Sequence, residues 1–300
     1  MIRTNMLAVR IAVVACSIAT LFSALPARGQ TPAGRAPQPP ETPQAQALID
    51  LPGWWVSVVT EDWRWRMLTP PKGDYASVPI NDEGKRIADT WDPAKDEREG
   101  NACRAYGVGG IMRVPGRLHI TWQDANTLKI ETDAGTQTRL LRFAPAGDSA
   151  PAAGEQSSQA ERSWQGHSVA TWEMLNPPAR GNPVLGGAGR AQAEAAGAAA
   201  GGAGGGRGGN APPVKRYGSL KVVTTRMKPG YLRKNGVPYT ENAMVTEYFD
   251  RHKESSGDEW LTVTTLVEDS KYLNQPFITS SHFKKEPDGS KWRPTPCVAQ

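Results

Sequence analysis

Cysteine is scarce in this chain: Cys16, Cys103 and Cys297 are the only three in 300 residues, and no two are spaced as CxxC. That excludes a thioredoxin-type redox centre and a zinc knuckle. The four histidines, His119, His167, His252 and His282, form neither HxH nor HExxH. No zinc ligand set is therefore spelled out locally, and neither a metal nor a cofactor is expected. The alternation of strands with long helical patterns that marks a parallel α/β fold is missing as well. Gly166-His167-Ser168-Val169-Ala170 comes near the GxSxG nucleophile elbow, but alanine replaces its last glycine and Thr171-Trp172-Glu173 continues as a strand. A turn entering a strand is the plainer reading, because the elbow needs a helix behind its serine. The acid pairs Glu61-Asp62, Asp258-Glu259 and Glu268-Asp269 fall at strand ends, and neighbouring strand residues point to opposite faces. No catalytic residue is assigned.

Long apolar runs are also rare. The longest, from Ile11 to Leu25, follows Arg3 and Arg10 and leads to Ala27-Arg28-Gly29. This is the plan of a secretion signal over 1–29, cleaved before Gln30. Retention as a membrane span is disfavoured, because a bilayer core needs about 20 apolar residues. A lipid-modified Cys16 is disfavoured because the apolar run continues past it. A periplasmic or secreted protein is expected, with no membrane span once the signal is removed. The formal charge of +5 then falls to +2, since the leader holds three arginines and no acid. Between 177 and 217, five basic residues face only Glu194, which leaves the rest of the mature chain slightly acidic. A nucleic-acid surface needs a basic patch on a folded face, so none is expected. Gly205-Gly206-Arg207-Gly208-Gly209 reads as spacer.

Residues 30–50 are rich in proline, alanine and glutamine and read as a tether, with order beginning near Leu51. The small-residue stretches 144–162 and 177–215 have too little apolar surface to fold and read as disordered. The remainder of 51–300 reads as one β domain. Alternating β-branched and aromatic residues predict strands over 54–60, 63–68, 111–114, 117–123, 127–132 and 136–143, then over 168–173, 219–225, 243–251, 259–267 and 277–284. Short turns at 124–126 and 133–135 make a meander, with Leu118, Ile120 and Trp122 on one face opposite Leu128 and Ile130. The tract at 177–215 reads as an insertion at a hairpin tip, where added length costs little closure entropy. One short helix, 83–91, ends at Asp92-Pro93. So many sequential strands must close or stack, which predicts a mainly β fold: an antiparallel, calycin-like barrel or a two-sheet sandwich of about ten strands.

Cys103 and Cys297 are the two cysteines left after processing, and in an oxidising compartment they are expected to form one disulfide. Ten tryptophans supply core in a thin β fold, and some are placed to line a cavity. Strand alternation sets Arg64 with Arg66 on one face, Arg117 with His119, and Ser280 with His282. A polar lumen therefore makes Arg64, Arg66, His119, Trp122, Trp172 and His282 the candidate ligand-binding residues. His119 and His282 are the pair an enzyme would use.

Several runs carry a resemblance: Cys103-Arg104-Ala105-Tyr106-Gly107, Trp164-Gln165-Gly166-His167-Ser168-Val169 with Trp172-Glu173, Leu220-Lys221-Val222-Val223-Thr224-Thr225, and Val245-Thr246-Glu247-Tyr248-Phe249. Their order resembles a widespread group of uncharacterised exported bacterial β-rich proteins, over about Trp54 to Cys297. The resemblance implies export and a β-rich fold, and it carries no catalytic residue. Gly53-Trp54-Trp55 is also similar to the G-x-W of lipocalin-type barrels, with Arg293 placed to pack on that tryptophan. Three readings follow: a binding module for a small amphipathic or apolar molecule in the cell envelope, an envelope structural or interaction protein, and an enzyme working from lumen residues. The expected partner is a small molecule or an envelope protein.

Overall fold

The computed structural model describes residues 41–144, 161–174 and 218–299. The expected leader and most of 144–162 and 177–215 lie outside the described residues. The strands are β1 (Gly53–Val58), β2 (Arg117–Asp124), β3 (Thr127–Thr132), β4 (Gln137–Phe143), β5 (His167–Met174), β6 (Gly218–Thr225), β7 (Gly230–Arg233), β8 (Val237–Tyr239), β9 (Met244–Lys253), β10 (Glu259–Glu268) and β11 (Phe277–Glu286). Nine of them close into a barrel in the order β1-β11-β10-β9-β6-β5-β4-β3-β2, while β7 and β8 form a separate hairpin. Closure leaves no edge strand, so the sandwich alternative falls away. One junction, β4–β5, is parallel, which corrects the expectation of a wholly antiparallel sheet. The hairpin of β5 with β6 is as expected, with Met174 opposite Gly218 across residues 175–217.

Period-2 alternation places the core. In β3, Leu128, Ile130 and Thr132 are buried; in β10, Leu261, Val263, Thr265 and Val267 are. Directly paired residues share a face, so Ile120 meets Ile130, Leu261 meets Phe283, and Leu220 meets Phe249. Each such side chain contributes about 1.5–3 kcal/mol when fully buried. Together with Trp55 and Leu141 they fill the lumen. At its centre Arg139 of β4 reaches across to Glu247 of β9, with Nη1–Oε1 at 3.1 Å and Nη2–Oε2 at 2.5 Å, and neither side chain has any exposure.

One barrel end is plugged by the chain's own N-terminal approach. Residues 41–50, expected to be tether, pack there: Trp172 Nε1 donates to the Pro43 carbonyl (2.8 Å), and Gln44 N donates to that of Ala125 (3.1 Å). Leu51 is buried behind them and accepts from Trp55 Nε1 at 2.9 Å. The other end is capped by the segment between β1 and β2 and by the β7–β8 hairpin.

Two strands expected in the capping segment are not strands. Residues 63–68 form a one-turn helix, α1 (Trp63–Met67), because Asp62 takes a left-handed conformation (φ 50°) that turns the chain out of β1. The amides of Trp65 and Arg66 then donate to the Asp62 carbonyl. An alternating W-R-W-R fits one helical turn as well as a short strand. Residues 111–113 form a 3-10 turn, which the backbone reaches through Gly107, Gly109 and Gly110. A Cβ at Gly110 would lie 2.9 Å from the carbonyls of Ala105 and Tyr231, too close for any side chain.

The expected helix is α2 (Asp82–Ala88), capped by Asn81, whose side chain accepts from Gly84 N at 2.8 Å. The proline expected to end it opens a second helix, α3 (Pro93–Arg98), with Asp92 as its cap. Cys103 and Cys297 are disulfide-bonded, joining residues 194 apart in sequence. Near that bond Thr295 N donates to the Asp133 carbonyl at 2.8 Å, so the C-terminal tail is held against the barrel.

Candidate anion-binding site

The structure scatters the residues singled out as lumen-facing. Trp122 and Trp172 do point inward, but as part of the plugged end: Phe143 lies between them, with ring centroids 5.6 and 5.3 Å away. His119 is on the outer face of β2, stacked on Trp54 (centroids 3.7 Å apart, planes within 6°), with Nδ1 3.2 Å from Glu131 Oε2. His282 is also on the outer face, bonded through Nδ1 to Thr60 Oγ1 at 2.7 Å. The two flank β1 opposite different residues, Trp54 and Val58, and do not meet. Arg64 is exposed and paired with Asp74 at 3.0 Å. Ser168 faces the lumen, where its hydroxyl is 2.8 Å from that of Thr224. The cation over Trp55 is Lys285 Nζ, at 5.5 Å. No group of three or more metal-ligating side chains occurs among the described residues.

Arg66 alone of the six enters a site, and it does so from the helix rather than from a strand. Beneath α1, three arginines from three elements converge at the capped end: Arg66, Arg113 of the 3-10 turn and Arg233 of β7, only 6%, 6% and 4% exposed. Each is held differently. Arg66 Nε donates to the Arg113 carbonyl (2.9 Å) and Nη2 to Ser57 Oγ (3.3 Å), while Nη1 has no acceptor. Arg113 Nη2 donates to Asp62 Oδ2 at 2.9 Å. Arg233 has no acceptor among the described residues for any of its three nitrogens. Its guanidinium lies over the Trp65 ring at 4.9 Å, and Trp65 is fixed by its own Nε1 donating to Asp74 Oδ2 at 3.1 Å.

The balance of charge in this cluster is positive and dry. Burial, with the Arg113 charge adding to it, pushes both Arg66 and Arg233 down to about 10. Both remain cations at neutral pH. A desolvated cation–π contact contributes about 2 kcal/mol, whereas burying an ion costs several. Trp65 therefore offsets only part of the cost of Arg233. Asp62 is engaged with Arg113 and Asp74 with Arg64, so that Glu61 is the remaining carboxylate whose charge reaches Arg66.

A narrow cleft opens onto the cluster, walled by Trp65, Val114 and Leu232 beside the guanidiniums, with Lys234 at its edge. Its enclosed space of about 20 Å³ takes the centre of about one water-sized group. Only a terminal group of a ligand fits. Planar guanidinium forks are matched to carboxylate and phosphate oxygens. No sequence signal marked Arg113 or Arg233, because a buried arginine and a solvated one look alike in a 3-10 turn or at the end of a four-residue strand. No protein family, curated protein or solved structure matches the chain.

Proposed function

We propose that the protein is a binding module of the bacterial cell envelope whose arginine cleft seats the oxyanion end of a small amphipathic molecule. The observation that carries this reading is Arg233, a buried guanidinium with three donor nitrogens and no acceptor among the described residues. A carboxylate or phosphate oxygen placed between Arg233 and Arg66 supplies that acceptor and neutralises the excess charge. The apolar walls Trp65, Val114 and Leu232 suit a ligand whose next atoms are hydrocarbon. Export is part of the proposal, supported by the leader pattern of 1–29 and compatible with the disulfide.

Calorimetry in phosphate-free, low-salt buffer tests it, with phosphate, acetate, octanoate and octyl phosphate as probes. The amphiphiles are expected to bind about tenfold or more tighter than the bare ions, and Arg233→Met is expected to abolish binding of all four. Equal binding by Arg233→Met and the parent would sink the assignment.

A second reading, an envelope interaction protein, draws on α1. Trp63, Met67 and Leu68 are 67%, 57% and 70% exposed on the side of the turn away from the cleft, and clustered exposed apolar side chains mark contact surfaces. Capture of one stable partner, lost in Trp63→Ser/Leu68→Ser, supports that reading; anion binding with no partner counts against it.

A further inference from the structure

A second cleft lies on the capping layer, between α2–α3 and the β7–β8 hairpin. It shares no lining residue with the arginine site. Its space for entering atoms is about 220 Å³, against 20 Å³ there. Trp91, Tyr231 and Tyr272 face it, Tyr239 lies buried at its base, and Thr90 stands exposed at its rim. Gly236, at φ 83°, packs under Trp91 where a Cβ would come within 2.3 Å of the tryptophan's own, so the hairpin turn fixes the indole.

The polar groups here discriminate between ligand classes. Asp96, only 3% exposed, accepts from Arg104 Nη1 (2.7 Å) and from the Tyr231 hydroxyl (2.8 Å), while the same Arg104 nitrogen lies 3.0 Å from that hydroxyl. The buried acid is thereby neutralised, and it has no charge left over for a cationic ligand. Arg104 already lies over the Tyr231 ring at 5.6 Å, the position a ligand cation would take. An anion fares no better, because beyond the Asp96–Arg104 pair Asp92 and Glu99 face only Lys95, which is itself 3.9 Å from Glu99.

What remains unengaged is a set of donors. Trp91 Nε1 and Arg104 Nε are buried without a hydrogen-bond partner among the described residues, whereas the Tyr239 hydroxyl below them lies against the Gly109 backbone. Buried donors call for acceptors. Aromatic faces, negative at their centres, attract the weakly positive C–H groups of a saturated ring. A neutral ligand with oxygens around its edge and C–H groups on its faces meets both demands.

We propose that this cleft binds a saccharide, with a pyranose ring against Trp91 or Tyr272 and its ring-edge oxygens taking up the unengaged donors. At about 220 Å³ the cleft is roomier than one hydroxyl group needs and lies just under the roughly 300 Å³ at which pockets for small organic molecules begin. The site is independent of the arginine cleft: either can fail without the other.

The test is calorimetry and tryptophan fluorescence on the mature protein with glucose, N-acetylglucosamine, and the β-linked and α-linked glucose oligomers, with choline and acetate as comparators. At least one saccharide is expected to bind with Kd below about 10 mM, in the range of weak specific recognition. Thr90→Trp, which fills the cleft from its exposed rim, is expected to weaken that binding about tenfold or more. Tyr272→Ala should do the same, and thermal melts of both variants should match the parent. Arg233→Met should leave saccharide binding unchanged. No saccharide binding at about 50 mM, binding unaltered in both cleft variants, or choline binding in place of sugar would each overturn the proposal.

Discussion

Arg139 and Arg233 are both buried arginines, and they answer the cost of burial in opposite ways. Arg139 meets Glu247 through a two-pronged pair inside the barrel, whereas Arg233 has only a tryptophan face. Their variants should therefore differ in sign. Glu247→Ala strands the Arg139 charge and is expected to cost about 3–5 kcal/mol in urea unfolding, while Arg139→Met/Glu247→Leu should recover most of that loss. Arg233→Met removes an unpaired charge and is expected to leave anion-free stability equal or higher. A fall beyond about 1 kcal/mol would show that Arg233 is satisfied in some other way. Glu259 adds a pH dependence. Hydrogen bonds from Arg251 and Lys285 (2.7 and 3.1 Å) hold its carboxyl down at about 2, from an ordinary 4.5. Its contribution is therefore present above pH 4.5 and is lost as pH falls toward 2. Solvent screening keeps it small. Glu259→Gln should flatten that part of the acid-unfolding profile, and a parallel profile would refute the linkage. At this scale the sequence exposed little: Arg66 stood out only as the neighbour of Arg64 in an imagined strand, and nothing distinguished Arg113 or Arg233.

The elements with a buried face were legible and, apart from α2, those in the cap were not. Each barrel strand packs one face on the lumen, so its side chains had to alternate; β3 and β10 carry that pattern nearly unbroken. The cap segments bury single side chains from irregular backbone, which imposes no period. Thus α1 was read as a strand. The β7–β8 hairpin was missed even though Asn235-Gly236 at its turn is a hairpin signal. The β5–β6 hairpin offers a direct test at this scale. Met174 and Gly218 already pair, so an Asn-Gly turn in place of residues 175–217 preserves the register. Shortening that loop to a few residues removes about 2 kcal/mol of closure entropy. The melting temperature should therefore hold or rise; a collapse of the β circular-dichroism signal would mean that the excursion is needed for folding.

Taken whole, the molecule is a filled barrel with both proposed binding clefts in one cap, and the disulfide joins that cap to the C-terminal tail. Cys103 lies between α3 and the 3-10 turn that carries Arg113, and Cys297 lies in the C-terminal tail. Closing a loop of this length limits the unfolded chain by about 5 kcal/mol, which corresponds to roughly 10–20 °C in melting temperature for a domain of this size. Cys297→Ser should show a fall of that order, and reductant should lower the parent to the same value. A change of only a few degrees would place the cap's stability in its packing instead.

The strand count has its own consequence. Around a closed ring, neighbours can alternate in direction at every step only when their number is even. Nine is odd, so at least one pair must run the same way, and no substitution within a strand can change that. Only the gain or loss of a whole strand restores alternation. The chain sets this compulsory mismatch between β4 and β5, where three residue pairs are in register, against eight at β5–β6 and ten at β9–β10. Parity makes one such joint unavoidable, and the chain places it between β4 and β5, where the register is shortest.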